Sequence, residues 1–165
     1  MPKKFKSFED LLKPDPRYKN KLVGKFINCM MWEGKKSLAQ KIFYDALDEI
    51  HKKLPKEEPL TVFTTAIENA KPMVEVRSRR IGGANYRVPV EVTVKRQLSL
   101  AMRWIISSSR KRKGRPMATK LANELLTTFR QDKESESLKK RAEVHNEAES
   151  HKAFAHFAFT KTRTS

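Results

Sequence analysis

Val74-Glu75-Val76-Arg77-Ser78-Arg79-Arg80-Ile81-Gly82-Gly83-Ala84-Asn85-Tyr86-Arg87-Val88-Pro89-Val90-Glu91-Val92 is the stretch on which the fold turns. Val74, Val76 and Ser78 alternate with Glu75, Arg77 and Arg79. Beyond the glycine pair, Tyr86, Val88, Val90 and Val92 alternate with Arg87, Pro89 and Glu91. A period of two on both sides of Gly82-Gly83 predicts a β-hairpin at about residues 73–92. Pro89 has no N–H to donate, so its strand should be an edge or carry a bulge. Two strands alone are marginal in water, so the base should lean on helices while the tip projects.

On either side the period is that of a helix. Leu22, Val23, Phe26, Ile27, Met30 and Met31 form one apolar stripe that starts after Asn20 and stops by Gly34. Ser37 is placed to cap a second helix with the stripe Leu38, Ile42, Phe43, Ala46, Leu47 and Ile50. Pro59 can open a third, carrying Phe63, Ala66, Ile67 and Ala70. After the hairpin come a fourth helix (Leu98, Ala101, Met102, Ile105, Ile106), a basic loop from Arg110 to Arg115, and a fifth helix (Met117, Leu121, Ala122, Leu125). A last, polar helix should run from about Ser135 to Phe157 with Leu138, Ala142 and Ala148 as its sparse apolar face. Pro14-Asp15-Pro16 blocks helix near the start. The expectation is a mainly α chain: one helical domain of about six helices over residues 19–157 with an inserted, projecting hairpin, a basic N-terminal arm at 1–18 and a short polar tail at 158–165.

Charge says what such a domain is for. The chain has 165 residues with 36 Lys and Arg against 19 Asp and Glu, a net charge of +17. The excess is uneven. Residues 71–115 carry 13 basic and 2 acidic residues, whereas 42–70 carry 3 and 6. Ordinary surfaces intersperse both signs, so a concentrated excess calls for a polyanion, and nucleic acid is the reading favoured over an acidic membrane or protein. Arg77, Arg79, Arg80 and Arg87 sit on a ribbon that fits a nucleic-acid groove, and Lys95, Arg96, Arg103 and the run Arg110–Arg115 continue the sign. Gly82 and Gly83 either make a plain turn or let backbone approach a ligand closely. No window approaches 18 uninterrupted apolar residues, which excludes a spanning helix. The single cysteine excludes a disulfide scaffold, suits a reducing compartment, and lies among Ile27, Met30 and Met31 as a buried hydrophobe. The four histidines show no zinc spacing. The serine run Ser107-Ser108-Ser109 has no triad partner, and the glycine pair lacks phosphate-loop spacing. Neither enzyme, cofactor, metal site nor small-molecule substrate is expected. Trp104 is read as core.

Pro14-Asp15-Pro16, Lys25-Phe26-Ile27-Asn28 with Gly34-Lys35-Lys36-Ser37, the run Val74 to Gly83, Val88-Pro89-Val90-Glu91-Val92, Ala101-Met102-Arg103-Trp104-Ile105, Leu121-Ala122-Asn123-Glu124 and Lys152-Ala153-Phe154-Ala155-His156-Phe157 together resemble the bacterial-type ribosomal small-subunit protein number seven family. The likeness covers nearly the whole chain in order. It departs in the tail from Thr160 and in the arginine- and proline-rich Lys113-Gly114-Arg115-Pro116. The resemblance implies a structural, non-enzymatic component that binds the 3′ major domain of 16S rRNA and nucleates assembly of the small-subunit head. It implies a position near the mRNA exit path and exit-site tRNA, beside other head and platform proteins. The rRNA contacts it implies are Lys3, Lys4, Lys6, Lys35, Lys36, Arg77, Arg79, Arg80, Arg87, Lys95, Arg96, Arg103, Arg110, Lys111, Arg112, Lys113 and Arg115. Arg80, Gly82, Gly83 and Asn85 would face mRNA and tRNA at the hairpin tip. The expected location is a ribosome in a bacterial cytoplasm rather than an organelle matrix. A DNA-compacting protein and an RNA-modifying enzyme are the rival readings.

Overall fold

A computed structural model describes residues 12–158. Its elements are α1 (Lys21–Met30), α2 (Lys36–Lys53), α3 (Pro59–Ala70), β1 (Val74–Ile81), β2 (Ala84–Glu91), α4 (Val94–Lys111), α5 (Met117–Phe129), α6 (Glu136–Ser150) and a final 3-10 helix (Lys152–Ala158). The arm residues Lys3, Lys4 and Lys6 and the tail beyond Ala158 lie outside the described residues.

One phenylalanine from each of the first three helices nucleates the core. Phe26, Phe43 and Phe63 meet with ring centroids 5.1 to 5.5 Å apart, two of the three pairs edge-on, the geometry that ring quadrupoles favour. All three are fully buried. Helix α5 lies against α2, α3 and α4 and closes the bundle with Leu121, Ala122 and Leu125. No residue of the hairpin belongs to this cluster. A smaller apolar group of Val92, Leu100 and Trp104, with Val144 packed against it, ties α4 to α6, and Trp104 is a core residue as expected.

The hairpin is as the alternation predicts. Eight consecutive pairs run from Val74 opposite Glu91 to Ile81 opposite Ala84, without a bulge. Pro89 pairs with Val76 in a sheet of two strands, where every strand is an edge. Gly82 and Gly83 both have positive φ, 56° and 88°, which the tight two-residue connection requires. The base is braced by α6, where the Met73 N–H donates to Nε2 of His145 at 3.0 Å. Higher up, Tyr86 packs on Phe154 and Phe157 of the 3-10 helix.

Several local expectations fail, each for a geometric reason. The first helix ends at Met30 rather than running to Gly34, because the Met31 N–H closes on Ile27 and the chain then turns. Ser37 is not a cap, since α2 already starts at Lys36. Leu38 is 53% exposed and Ala39 takes the buried position beside it. Cys29 is exposed: its neighbours Met30 and Met31 are adjacent in sequence, but successive helical residues point about 100° apart. The last helix stops at Ser150, and a 3-10 segment re-aims the chain toward β2. On α6, Ala142 is exposed and Val144 makes the apolar contact. Arg110 and Lys111 belong to α4, so the basic loop begins at Arg112.

Two acids taken out of water fix the ends of the bundle. Glu124 on α5 is fully buried. Its Oε2 accepts from Arg112 Nε and Nη2 at 3.1 and 2.6 Å, and its Oε1 accepts from Ser135 Oγ, Ser137 Oγ and the Ser137 N–H. One carboxylate thereby ties the α4–α5 loop and the start of α6 to α5, where the helix N-terminus also welcomes negative charge. Asp15 performs the same work at the N-terminal end. Its carboxylate accepts the N–H groups of Arg17 and Tyr18 at 3.0 Å each and the Tyr44 hydroxyl at 2.7 Å. Burial and that bond push the Tyr44 phenol up to about 12, so it remains a donor at any physiological pH. Gly24 permits the close passage of this segment, because a Cβ there would sit 2.8 Å from the Lys13 carbonyl.

Glu124→Ala should destabilise the chain by about 3–5 kcal/mol in urea titration, since it leaves Arg112 and both serine partners unmatched. A loss under about 1 kcal/mol would mean the network carries little of the fold. At the hairpin base the sign with pH is set by His145, whose pKa is lowered by burial first and by Arg141 second. The unfolded chain therefore binds more protons below the ordinary imidazole value of about 6.5, and stability falls as pH drops through that range. The protonated ring also cannot accept the Met73 N–H, and Glu91, Glu149 and Lys152 line the same recess. Exchange of the Met73 amide, corrected for its intrinsic rate, should accelerate on acidification below about pH 6.5, and His145→Gln should abolish the acceleration. A pH-independent corrected rate in the wild type would contradict this reading.

Candidate nucleic-acid interface

The expected cations divide into two groups once the chain is folded. The first group is tied into the protein. Arg77 and Arg96 converge on the buried Glu75, through Nε–Oε1 at 2.6 Å and Nε–Oε2 at 3.1 Å. Arg87 pairs with Glu147 of α6 at 3.0 Å, and Arg79 donates to the Phe157 carbonyl at 3.1 Å. Arg112 is held by Glu124. Arg110 donates to the Met30 carbonyl at 2.7 Å, satisfying one open carbonyl at the end of α1. Lys35 pairs with Glu33 at 2.7 Å, in an exposed contact of little energetic weight.

The second group stands in solvent. Lys36, Arg80, Arg103, Lys113 and Arg115 are exposed and make no ion pair or side-chain hydrogen bond among the described residues. Lys95 and Lys111 are exposed as well. Gly82, Gly83 and Asn85 are exposed at the hairpin tip, next to Arg80.

Helix α4 organises both groups. Arg96, Arg103 and Arg110 recur every seven residues, two turns apart, so they line one face over about 21 Å. Arg96 meets the hairpin base through Glu75, and Arg110 reaches the end of α1. Arg103, together with Lys25, lies close enough to Cys29 for its charge to lower the thiol pKa. Partial desolvation of the thiol, on a residue whose surface is otherwise exposed, outweighs both cations and raises that pKa. The face therefore runs from the hairpin base, along α4, to the turn between α1 and α2.

Sequence reasoning missed two features of this face. Glu147 and Glu124, which neutralise Arg87 and Arg112, are 60 and 12 residues away from them and invisible to a local charge count. Trp32, beside the Lys35-Lys36 pair, is 69% exposed, with the Arg110 guanidinium 4.5 Å from its ring centre. An aromatic at the end of an apolar stripe next to two lysines was the available signal. Among the described residues no group of three His, Cys, Asp or Glu could hold a metal ion, and no helix is long and apolar enough to cross a membrane.

Comparison with known proteins gives the face its context. The family model described as ribosomal protein S7p/S5e matches residues 2–152. The chain is 55% identical over 146 residues to the small ribosomal subunit protein uS7 of Rhodopirellula baltica, spanning 88% of this chain and 92% of the relative. It is 53% identical, over the same shares, to the protein of that name from Variovorax paradoxus. With that of Polynucleobacter necessarius it shares 51% over 159 residues, 96% of this chain and the whole of the relative. Such identity from one end of the helical body to the other leaves a single conclusion: the chain belongs to the ribosomal protein S7p/S5e family, a family of the small ribosomal subunit.

Proposed function

We propose that this small-subunit ribosomal protein binds the 3′ major domain of 16S rRNA, nucleates assembly of the subunit head, and sits with its hairpin tip near the mRNA exit path and exit-site tRNA. Its role is structural rather than catalytic, its neighbours are other head and platform proteins, and it works ribosome-bound in the bacterial cytoplasm. One observation carries the reading: Lys36, Arg80, Arg103, Lys113 and Arg115 remain exposed and without ion partners among the described residues in a chain of net charge +17. Those cations lie at the start of α2, beside the hairpin tip, on the long face of α4 and in the loop after it, and all five are among the rRNA contacts that the family resemblance implies.

The two groups of cations have different tasks under this proposal. Arg77, Arg96 and Arg112 are held by the buried Glu75 and Glu124 and fix the elements that carry the surface, and the exposed cations without ion partners meet phosphate. Phosphate contacts fix position and orientation, whereas preference for one RNA arises from the shape of the folded junction and from 2′-hydroxyl and loop-base contacts. The tip, with Gly82, Gly83 and Asn85, presents backbone and a small amide where a bulky side chain would prevent close approach.

Salt titration of binding to a transcript of the 3′ major domain, beside a scrambled RNA of equal length, separates these roles. Each neutralised phosphate contributes about −0.7 to −0.9 to the log–log slope. The combined change Arg80→Ala, Arg103→Ala and Arg115→Ala should make the slope shallower by about two to three units without lowering the melting temperature. Arg112→Ala should lower the melting temperature and change the slope by less than one unit. An unchanged slope in the triple variant, or equal wild-type affinity for both RNAs at high salt, would refute the proposal.

A further inference from the structure

We propose that Trp32 is a stacking platform for an unpaired base of the RNA that this chain binds; the inference rests on the rRNA-binding reading above and names one site within it. A lone exposed apolar side chain needs no explanation. Trp32 is different because it is held in place. The Arg110 guanidinium lies 4.5 Å from its ring centre and is itself anchored by donating to the Met30 carbonyl at 2.7 Å. The backbone is fixed too. The Lys35 N–H closes a turn on the Trp32 carbonyl at 2.9 Å, and Glu33 and Gly34 both adopt positive φ, 51° and 70°. A large ring is thus set rigidly on the surface, contacted by one planar cation, with 69% of its area still open.

The surroundings choose the occupant. Trp32 borders a recess of about 340 Å³ floored by Met30, Met31, Ile42 and Met117, with Leu38 at its rim, 53% exposed. Around that apolar floor the charged groups are Lys35 and Arg110, and the single acid, Glu33, is paired with Lys35; the exposed Lys36 follows Lys35 in the chain. An apolar surface ringed by cations fits a flat, uncharged base joined to an anionic backbone. A chain of net charge +17 favours such an anionic occupant over a neighbour without charge. Aromatic stacking beside arginine and lysine is the usual means of holding a splayed base without reading its identity.

The test uses the full chain and the 3′ major domain transcript. Trp32→Ala should weaken binding about 5- to 150-fold, the range of one stacked base, with the log–log salt slope unchanged because no phosphate contact is lost. Trp32→Phe should recover most of the affinity. The emission that wild type has and Trp32→Phe lacks should be quenched on adding transcript. Binding by Trp32→Ala within twofold of wild type overturns the inference. So does a loss accompanied by a slope shallower by one unit, which would mean that the ring acts through Arg110. Normal transcript binding with reduced entry into subunits would overturn it in favour of a protein neighbour. A wild-type chain that fails to prefer the transcript would instead defeat the rRNA reading itself, and the stacking site with it.

Discussion

Repulsion among cations is the constraint to which this structure answers. A net charge of +17 on 165 residues opposes any compact state, and the opposition grows as salt is removed. The chain meets it by keeping folding and charge apart. Folding is driven by a cluster of helices in which Phe26, Phe43 and Phe63 interlock and α5 closes the side, and every lysine and arginine of those helices lies outside the buried core. The few acids are then spent where they order the most chain: Glu124 at the junction of α4, α5 and α6, Glu75 between the hairpin base and α4, and Asp15 at the entry to α1. Each is buried and fully partnered. Losing one partner of such a group is costly, whereas losing an exposed ion pair such as Lys35 with Glu33 is nearly free.

Arginine and lysine are used accordingly. Arg112 puts two nitrogens on one carboxylate oxygen, and Arg96 and Arg77 approach different oxygens of Glu75, contacts that depend on a flat, forked donor. The exposed set mixes Lys36 and Lys113 with Arg80, Arg103 and Arg115, none of which has an ion partner among the described residues. Along α4 the exposed Arg103 stands between the tied Arg96 and Arg110, two turns from each. At one end of that helix Arg110 lies against the exposed Trp32 ring, and at the other Arg96 meets the hairpin base.

The hairpin, its turn and the main helices were legible because each announces itself by period or by a residue with one conformational use: two-residue alternation around Gly82-Gly83, the apolar stripe that begins after Asn20, Pro59 opening α3. Leu38, Cys29 and Ala142 were misplaced because a stripe read by eye does not say where its edge falls, and a residue one position off the centre can reach solvent. The break at His151 has no proline or glycine to mark it. Tertiary contact with β2 and Tyr86 decides it instead. Which cations are free could not be read at all, since Arg87 finds Glu147 and Arg79 finds the Phe157 carbonyl only after the chain has folded. Sign and location of the charge were in the sequence; its allotment required the structure.

Thermal melting of the free protein across sodium chloride concentration tests the separation of folding from charge most directly. Between about 0.05 and 0.5 M salt the Debye length falls from roughly 14 to 4 Å, enough to screen the exposed cations but not the buried pairs. The account requires the melting temperature of the wild type to rise over that range. With Arg80, Arg103 and Arg115 all replaced by alanine it should start higher at low salt and rise less. A wild-type melting temperature that is flat or falls with salt, or a triple variant no more stable than wild type at low salt, would contradict it.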